Sequence, residues 1–240
     1  MTDISDGSTV LVPINAAEAE EPPLALVELL HPLRLVVLGY YPVPDQAAPE
    51  QLREEYEAEA QAAVTAATER FADWGADVES VVVFTRDRSQ TIDRVAAEHD
   101  VDAVLTAGSI GDSLDNVLIP LRGDENLERI VVFSGDLLLE NDTAVTLFNV
   151  AETDEEASHG EFLLRGAVDR LKEHGLDPDR LEWKQERSDS PGNAIAAAAE
   201  AYDLLVVGES EPSLKDRILG TVTTSVIDKT SHPVLVVRNA

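Results

Sequence analysis

Residues 203–208 have the sequence DLLVVG, in which four consecutive apolar residues end at Gly208. Such a short, uninterrupted apolar run is typical of a parallel strand that is buried on both faces. A further glycine, Gly220, is followed directly by Thr221, and the run HPVLVV comes at residues 232–237. The segment therefore predicts a strand, a loop, a helix and a closing strand.

The same alternation of apolar runs and helical patterns extends upstream. Strands are predicted at residues 10–14, 35–39, 78–84, 103–107, 117–121, 130–133, 146–150, 181–185, 204–207 and 234–237. Helices are predicted at residues 17–30, 50–74, 89–99, 154–174, 190–202 and 213–230. Strands that alternate with helices predict an α/β fold built on parallel sheet.

The chain is weakly self-similar, which predicts two domains. The run AAEHDVD before residue 103 resembles AAEAYD before residue 204, and NVLIP at 116–120 resembles PVLVV at 233–237. A polar turn at residues 123–125 predicts a boundary that separates residues 1–124 from residues 125–240. On this division the first half lacks the helix before its last strand, and the second half lacks the helix after its first strand.

Composition excludes several classes of protein. The chain has 240 residues, no Cys and a formal charge of −29, and only 18 residues are Lys or Arg. This charge repels nucleic acid, and the absence of Cys excludes disulfides and thiolate metal sites. No apolar run reaches the ~18–20 residues of a membrane span, and the acidic start is unlike a secretory signal. We therefore expect a cytoplasmic protein whose surface is adapted to concentrated salt, because salt screens the repulsion.

The run at 203–208, the Gly220-Thr221 pair and the run at 232–237 together resemble the end of a universal stress protein domain. The run VLVPI at residues 10–14 resembles the first strand of that family. The resemblance implies two tandem open parallel-sheet domains of the adenine nucleotide alpha hydrolase-like, Rossmann-like class. It implies about five strands in each domain, and an intramolecular pseudo-dimer that forms through the last strands.

The resemblance also implies a nucleotide site in the second half. Nucleotide-binding members carry Gly-x2-Gly-x9-Gly-Ser/Thr after the fourth strand, where glycines and helix N–H groups approach phosphate oxygens. The ligand implied is ATP or AMP. The site residues implied here are Val207, Gly208, Gly220, Thr221, Val222 and Thr223.

This loop departs from the family pattern in ways that weaken phosphate binding. Glu211 occupies the second glycine position, Pro212 removes an N–H donor, and the loop is one residue short. A carboxylate at ~4 Å from one phosphate charge costs about 1 kcal/mol in water and about 4 kcal/mol at an effective dielectric constant of 20. We therefore expect a degenerate site, although Lys215 and Arg217 could offset part of the repulsion.

The first half departs further from the family. Gly108 and Gly111 keep a Gly-x2-Gly spacing, but no Gly-Ser/Thr pair follows, and a simple turn is expected. The first-strand Asp that the family places near the nucleoside corresponds to Asn15 in the first half. In the second half we expect Gly135 at that position, with Asp136 one residue later.

The sequence offers no catalytic or metal-ligating motif. The five His residues lack HxxxH or HxH spacing, and neither a nucleophile elbow nor a Walker loop is present. The resemblance implies a regulatory or stress-response module, and together with the absence of such motifs it makes a non-catalytic module of this kind the leading hypothesis. The alternatives are a nucleotide-hydrolysing or phosphate-transferring enzyme of a related fold, and a ligand-free module that binds a partner. The expected partners are the two halves themselves, a homodimer, and a membrane transporter, since the loop at 208–214 resembles transporter-associated variants of the family.

Overall fold

The computed structural model describes residues 7–19, 21–106, 108, 111, 113–124, 126–209, 227 and 229–239. The chain divides into two compact units, Met1–Leu105 and Thr106–Ala240, which we call unit 1 and unit 2. The division lies well before the polar turn at residues 123–125.

Unit 1 alternates strands and helices. Its elements are β1 (Thr9–Asn15), α1 (Leu24–Leu30), β2 (Arg34–Pro42), α2 (Pro49–Ala72), β3 (Asp77–Thr85), α3 (Arg88–Glu98) and β4 (Ala103–Thr106). The strands are parallel and lie in the order β3-β2-β1-β4. The side chains of Leu11, Val36 and Leu38 are buried against Val95 and Ala96 of α3, so one face of this sheet packs on that helix.

Unit 2 repeats the pattern and adds a fifth strand. Its elements are β5 (Asn116–Pro120), α4 (Leu127–Leu138), β6 (Ala144–Ala151), α5 (Asp154–His174), β7 (Leu181–Arg187), α6 (Pro191–Ala199), β8 (Leu204–Gly208) and β9 (Val234–Val237). The parallel strands lie in the order β7-β6-β5-β8-β9. The predicted α/β fold with parallel sheet is confirmed, whereas the predicted helix at 213–230 lies almost entirely outside the described residues.

Local sequence signals set the ends of the helices. The Asp87 side chain accepts the Gln90 N–H at the start of α3, and the Thr153 hydroxyl accepts the Glu156 N–H at the start of α5. Such caps satisfy amide groups that a helix leaves unpaired. Helix α5 ends at His174, and the next residue, Gly175, has a φ of 114°, the left-handed conformation that glycine adopts readily.

The prediction of a strand at residues 130–133 was wrong, because these residues form the first turns of α4. The apolar run IVVF is too short to separate a strand from a helix by itself. The buried residues of α4 recur with a helical period, and Val132 between them is 41% exposed. They are Ile130, Val131, Phe133, Ser134, Gly135, Leu137 and Leu138.

The assignment of residues 117–121 to the last strand of the first half was also wrong. Residues 117–120 belong to β5, which lies between β6 and β8 at the centre of unit 2. Since α4 follows β5, the helix expected to be missing from the second half is present. Unit 1 contains four strands among its described residues, rather than about five.

None of the helices within the described residues is long and apolar enough to cross a bilayer. The longest, α2, has 24 residues, and buries only Ala60, Val64, Ala67 and Phe71.

Candidate functional site

The candidate site lies at the carboxyl ends of the strands of unit 2. From β5 the chain builds the sheet outward through β6 and β7, then returns to place β8 and β9 on the other side of β5. The order therefore reverses between β5 and β8, and ligands of open α/β sheets bind at such a switch point.

A cavity of about 580 Å³ opens at this edge of the sheet. Its volume lies within the roughly 300–1,000 Å³ that is usual for small-ligand pockets. The lining residues come from the segment after β5, the end of β6, the start of α5 and the first residue of α6. They are Arg122, Asn149, Val150, Glu152, Thr153, Glu155, Glu156, His159 and Pro191.

Asn149 is the most deeply buried polar group of this lining, with 3% of its surface exposed. Its amide nitrogen donates to the Leu121 carbonyl oxygen at 2.8 Å. Its side-chain oxygen accepts from Gln185 Nε2 at 2.9 Å, and the same nitrogen lies 2.9 Å from the Ala157 carbonyl oxygen. The network joins β6, β7 and α5 to the residue before Arg122, so it fixes the backbone from which Arg122 enters the cavity.

Gly160 of α5 makes room for this network. A Cβ at position 160 would lie 2.1 Å from the Asn149 side-chain oxygen and 2.6 Å from Gln185 Nε2. Both distances are shorter than any ordinary van der Waals contact, so the close approach of α5 to β6 requires glycine here.

Among the charged side chains of the cavity, Glu156 is hydrogen-bonded, whereas others have no ionic partner among the described residues. Glu156 is held as a cap, since its carboxylate accepts the Glu152 N–H at 2.8 Å. Arg122 is exposed and forms no ion pair with any described residue. Among the described residues, the Glu152 and Glu155 carboxylates likewise have no cationic partner. Among the described residues, the cavity therefore offers one guanidinium without an ionic partner to an anionic group, and two carboxylates that oppose further negative charge.

The predicted site residues fall into two groups. Val207 is 5% exposed and packs in the core with Phe148 and Val150, so only its backbone could meet a ligand. Gly208 ends β8 at the switch point, where a Cβ would lie 2.8 Å from Ile130 Cδ1 of α4. The others lie outside the described residues: Gly220, Thr221, Val222 and Thr223.

Glu209, which follows Gly208, is hydrogen-bonded to Asn239. The Glu209 carboxylate accepts the Asn239 N–H at 2.8 Å. The Glu209 carbonyl oxygen accepts from the side chains of Asn126 and Asn239 at 3.2 and 3.0 Å. The carboxylate of Glu209 is therefore already engaged. The substituted position Glu211 lies outside the described residues.

The expectation that Gly135 and Asp136 occupy the first-strand position was wrong. Both residues lie in α4, where Asp136 contacts His174 at 3.0 Å and a Cβ at Gly135 would meet the His174 ring at 2.4 Å. The first-strand position of unit 2 is Arg122 instead, since VLVPIN at residues 10–15 and VLIPLR at residues 117–122 contain the first strands of the two units. This repeat is visible in the sequence and would have identified Arg122.

In unit 1 the corresponding residue, Asn15, is used locally, because its side-chain oxygen accepts the Ala17 N–H at 3.1 Å. Gly108 is a close-packing position, since a Cβ there would lie 2.6 Å from the His232 carbonyl group. At Gly111 a Cβ would make only an ordinary van der Waals contact, 3.7 Å from the Ser113 carbonyl oxygen. Within the described part of the chain, no group of three or more His, Asp or Glu residues is placed to hold a metal ion.

Comparisons with known proteins agree with this architecture. Residues 113–238 match the model of the universal stress protein family. A universal stress protein from Archaeoglobus fulgidus has a similar structure, with a TM-score of 0.66, 16% identity, and coverage of 97% of this chain and 96% of the other. A universal stress protein from Pseudomonas aeruginosa has a TM-score of 0.57 and 13% identity, with coverage of 96% and 92%. At these identities the likeness establishes the fold. No match was found among curated proteins.

Proposed function

The chain belongs to the universal stress protein family, and on that premise we propose that it is a non-catalytic stress-response module that binds an adenine nucleotide weakly in unit 2. The proposed site combines the cavity at Arg122 with the backbone of Val207 and Gly208. It also includes the sequence-predicted loop residues Gly220, Thr221, Val222 and Thr223. The observation that carries the proposal is a ligand-sized cavity at the carboxyl ends of β5 and β6, where the Arg122 guanidinium has no ionic partner among the described residues.

The charges of the cavity favour a ligand with few phosphates. Arg122 can pair with one phosphate group through a charge-assisted hydrogen bond. Each additional negative charge would approach Glu152 or Glu155, and a like-charge pair at ~4 Å costs about 1–4 kcal/mol depending on solvent exposure. We therefore expect AMP to bind more tightly than ATP, and both to bind weakly.

We propose binding without catalysis, and the described residues of the site support this because they bring together no metal-binding group. Phosphoryl transfer needs metal-binding groups and a residue that orients the nucleophile. Glu156, the acid that the fold holds most firmly in the cavity, is committed to capping α5. Binding without turnover is therefore the expected behaviour.

Calorimetric titration with AMP and with ATP in about 2 M KCl tests the proposal, since that salt screens the charge of the chain. Saturable heat that Gly220→Glu abolishes would support a nucleotide module. No heat from either nucleotide would contradict it and leave the ligand-free, partner-binding alternative. Release of inorganic phosphate during the ATP titration would contradict the non-catalytic part and favour the enzyme.

We also propose that the acidic surface adapts the protein to concentrated salt. A charge of −29 on 240 residues destabilises the compact state by self-repulsion. The Debye length falls from ~10 Å at 0.1 M salt to ~3 Å at 1 M, so the repulsion fades. The thermal unfolding midpoint should rise on going from 0.1 M to about 2 M KCl. A midpoint that stays the same or falls would argue against the adaptation.

A further inference from the structure

The cavity at the carboxyl ends of β5 and β6 contains a second side chain that can carry positive charge, the imidazole of His159. All five histidines of the chain lie among the described residues, and His159 is the one that lines this cavity. The next residue of α5, Gly160, allows the close approach of the helix to Asn149. The contact that fixes this wall of the cavity therefore also fixes the backbone of His159.

The imidazole of His159 is not engaged by the fold. The residue is exposed and forms neither a hydrogen bond nor an ion pair with the side chain of any described residue. Glu155 and Glu156 precede it by one turn of α5, on the same side of the helix, yet neither carboxylate contacts the ring. By contrast, His99 and His174 lie 3.3 and 3.0 Å from a carboxylate oxygen. The His159 ring is therefore left for a group that enters the cavity.

The charges around His159 decide what its protonation would change. The other charged residues that line the cavity are Arg122, Glu152, Glu155 and Glu156. The remaining lining residues carry no charge: Asn149, Val150, Thr153 and Pro191. While the imidazole is neutral, the carboxylates outnumber the single guanidinium, and this excess opposes an anionic ligand. A protonated imidazole reduces the excess and presents N–H groups that can donate charge-assisted hydrogen bonds to phosphate oxygens.

We propose that His159 is an anion-binding residue of this cavity, and that its protonation strengthens the binding of a nucleotide phosphate as pH falls. The inference rests on the proposed nucleotide site and adds a regulation to it. Histidine ordinarily changes charge near pH 6.5, whereas glutamate does so near pH 4.3, so imidazole is the group that titrates between pH 8 and pH 5.5. Since the protonated form binds the anion better, the gain in affinity is present at low pH and is lost as pH rises through this range.

Calorimetric titration with AMP at several values between pH 8 and pH 5.5 tests the proposal in the wild type and in His159→Gln. About 0.5 M KCl is suitable, since that salt only partly screens charges in direct contact. A phosphate monoester itself titrates near pH 6, but this affects both proteins alike, so the ratio of their dissociation constants isolates His159. Binding by the variant should become weaker relative to the wild type by at least about fivefold between pH 8 and pH 5.5.

Two controls separate this effect from a general response to pH. Adenosine lacks the phosphate, so its ratio of dissociation constants for the same two proteins should stay within about twofold across the range. His99→Gln removes a histidine from unit 1 and should keep the wild-type pH profile for AMP. Because His159 is exposed, we expect the thermal unfolding midpoint of His159→Gln to match that of the wild type.

The outcomes distinguish failure of this inference from failure of the proposed function. An AMP ratio that is the same at pH 8 and pH 5.5, or one that changes equally for adenosine, would overturn the role of His159 and leave the nucleotide site standing. Loss of the pH dependence in His99→Gln would also overturn it. A wild type that binds AMP at none of these pH values would contradict both proposals.

Discussion

In each unit a strand packs closely against a helix, with a glycine on one side of the contact and a larger residue on the other. The glycine lies on the strand in unit 1 and on the helix in unit 2. Pro13 pairs with Leu38 in unit 1, and Pro120 pairs with Phe148 in unit 2, so Gly39 and Asn149 occupy equivalent places in β2 and β6. In unit 1 the strand carries the glycine, and a Cβ there would lie 2.0 Å from Val64 Cγ2 of α2. In unit 2 the helix carries the glycine, Gly160, which faces Asn149.

The position of the glycine decides whether an apolar or a polar side chain fills this contact near the carboxyl ends of the strands. With glycine on the strand, the contact in unit 1 is closed by the fully buried side chain of Val64. With glycine on the helix, unit 2 has room for a polar side chain that reaches the Leu121 carbonyl oxygen. The neighbouring strands differ in the same way, since Gly39 pairs with the apolar residue Val82 whereas Asn149 pairs with the polar residue Gln185. Unit 2 therefore has a buried polar network that supports the backbone next to Arg122, whereas unit 1 has an apolar contact at the equivalent place.

The largest effect is expected from Gly160→Ala. The added Cβ overlaps Asn149 and Gln185, so it should break buried hydrogen bonds and lower the free energy of unfolding by about 3 kcal/mol. Denaturant unfolding in a Trp74→Phe background isolates the change, because Trp183 is then the only tryptophan and lies in unit 2. Adding Asn149→Gly should recover more than half of the loss. A loss under about 0.5 kcal/mol would show that the close contact is not essential.

Gly39→Ala should have a smaller effect, because its clash is with one methyl group. We expect a loss of about 2 kcal/mol, since Val64 is stiff and buried and the helix must shift. Unfolding followed by Trp74 fluorescence in a Trp183→Phe background measures it in unit 1. The double variant with Val64→Ala should be more stable than the sum of the two single losses predicts. Strict additivity would mean that the two residues do not share the contact.

Gln185 and Val82 occupy equivalent places in the two units, so Gln185→Leu gives unit 2 an apolar side chain where unit 1 already has one. It removes the donor to Asn149 and to the Ala157 carbonyl oxygen, and should cost about 1–2 kcal/mol. The same measurement, with Trp183 as the probe, tests it. Val82→Leu in unit 1 provides the control and should stay within about 1 kcal/mol, because it removes no hydrogen bond. Equal losses in the two units would mean that the network contributes nothing beyond packing.

The smallest effect concerns Glu182 on β7. A hydrogen bond with Lys184, at 2.5 Å, lowers the pKa of the Glu182 carboxyl, and one from Thr146 acts in the same direction. A lowered pKa stabilises the fold above the ordinary value of 4.5, and that contribution is lost as pH falls through the lowered pKa. Because the group is mostly exposed, Glu182→Gln should cost well under 1 kcal/mol at neutral pH. The variant should show a weaker loss of stability below about pH 4.5 than the wild type. Identical pH profiles would exclude the contribution.

Part of the fold follows from local patterns in the sequence. Continuous apolar runs identified β2, β6, β8 and β9, and helical periodicity identified α5 with its bounds. The run at residues 130–133 failed because β-branched residues fit either a strand or the buried face of a helix, and only the tertiary partners of α4 distinguish the two. That single error displaced the predicted first strand of the second half, and with it the residue expected beside the nucleoside.

The candidate site was harder to predict because it depends on contacts between distant residues. Gly208 could be identified from its place after an apolar strand. Arg122 required the repeat between residues 10–15 and 117–122. The network of Asn149, Gln185 and Gly160 joins three elements that lie far apart in the sequence, and none of the three residues belongs to a recognisable motif.

The central claim is that unit 2 carries a nucleotide site that depends on Arg122, and one titration tests it most directly. AMP affinity is measured by calorimetry in about 2 M KCl for the wild type, for Arg122→Gln, and for Asn15→Gln at the equivalent position of unit 1. Loss of a charge-assisted hydrogen bond should weaken AMP binding at least about tenfold in Arg122→Gln, and Asn15→Gln should match the wild type. AMP that binds Arg122→Gln as tightly as the wild type, or a wild type that does not bind AMP, would contradict the claim.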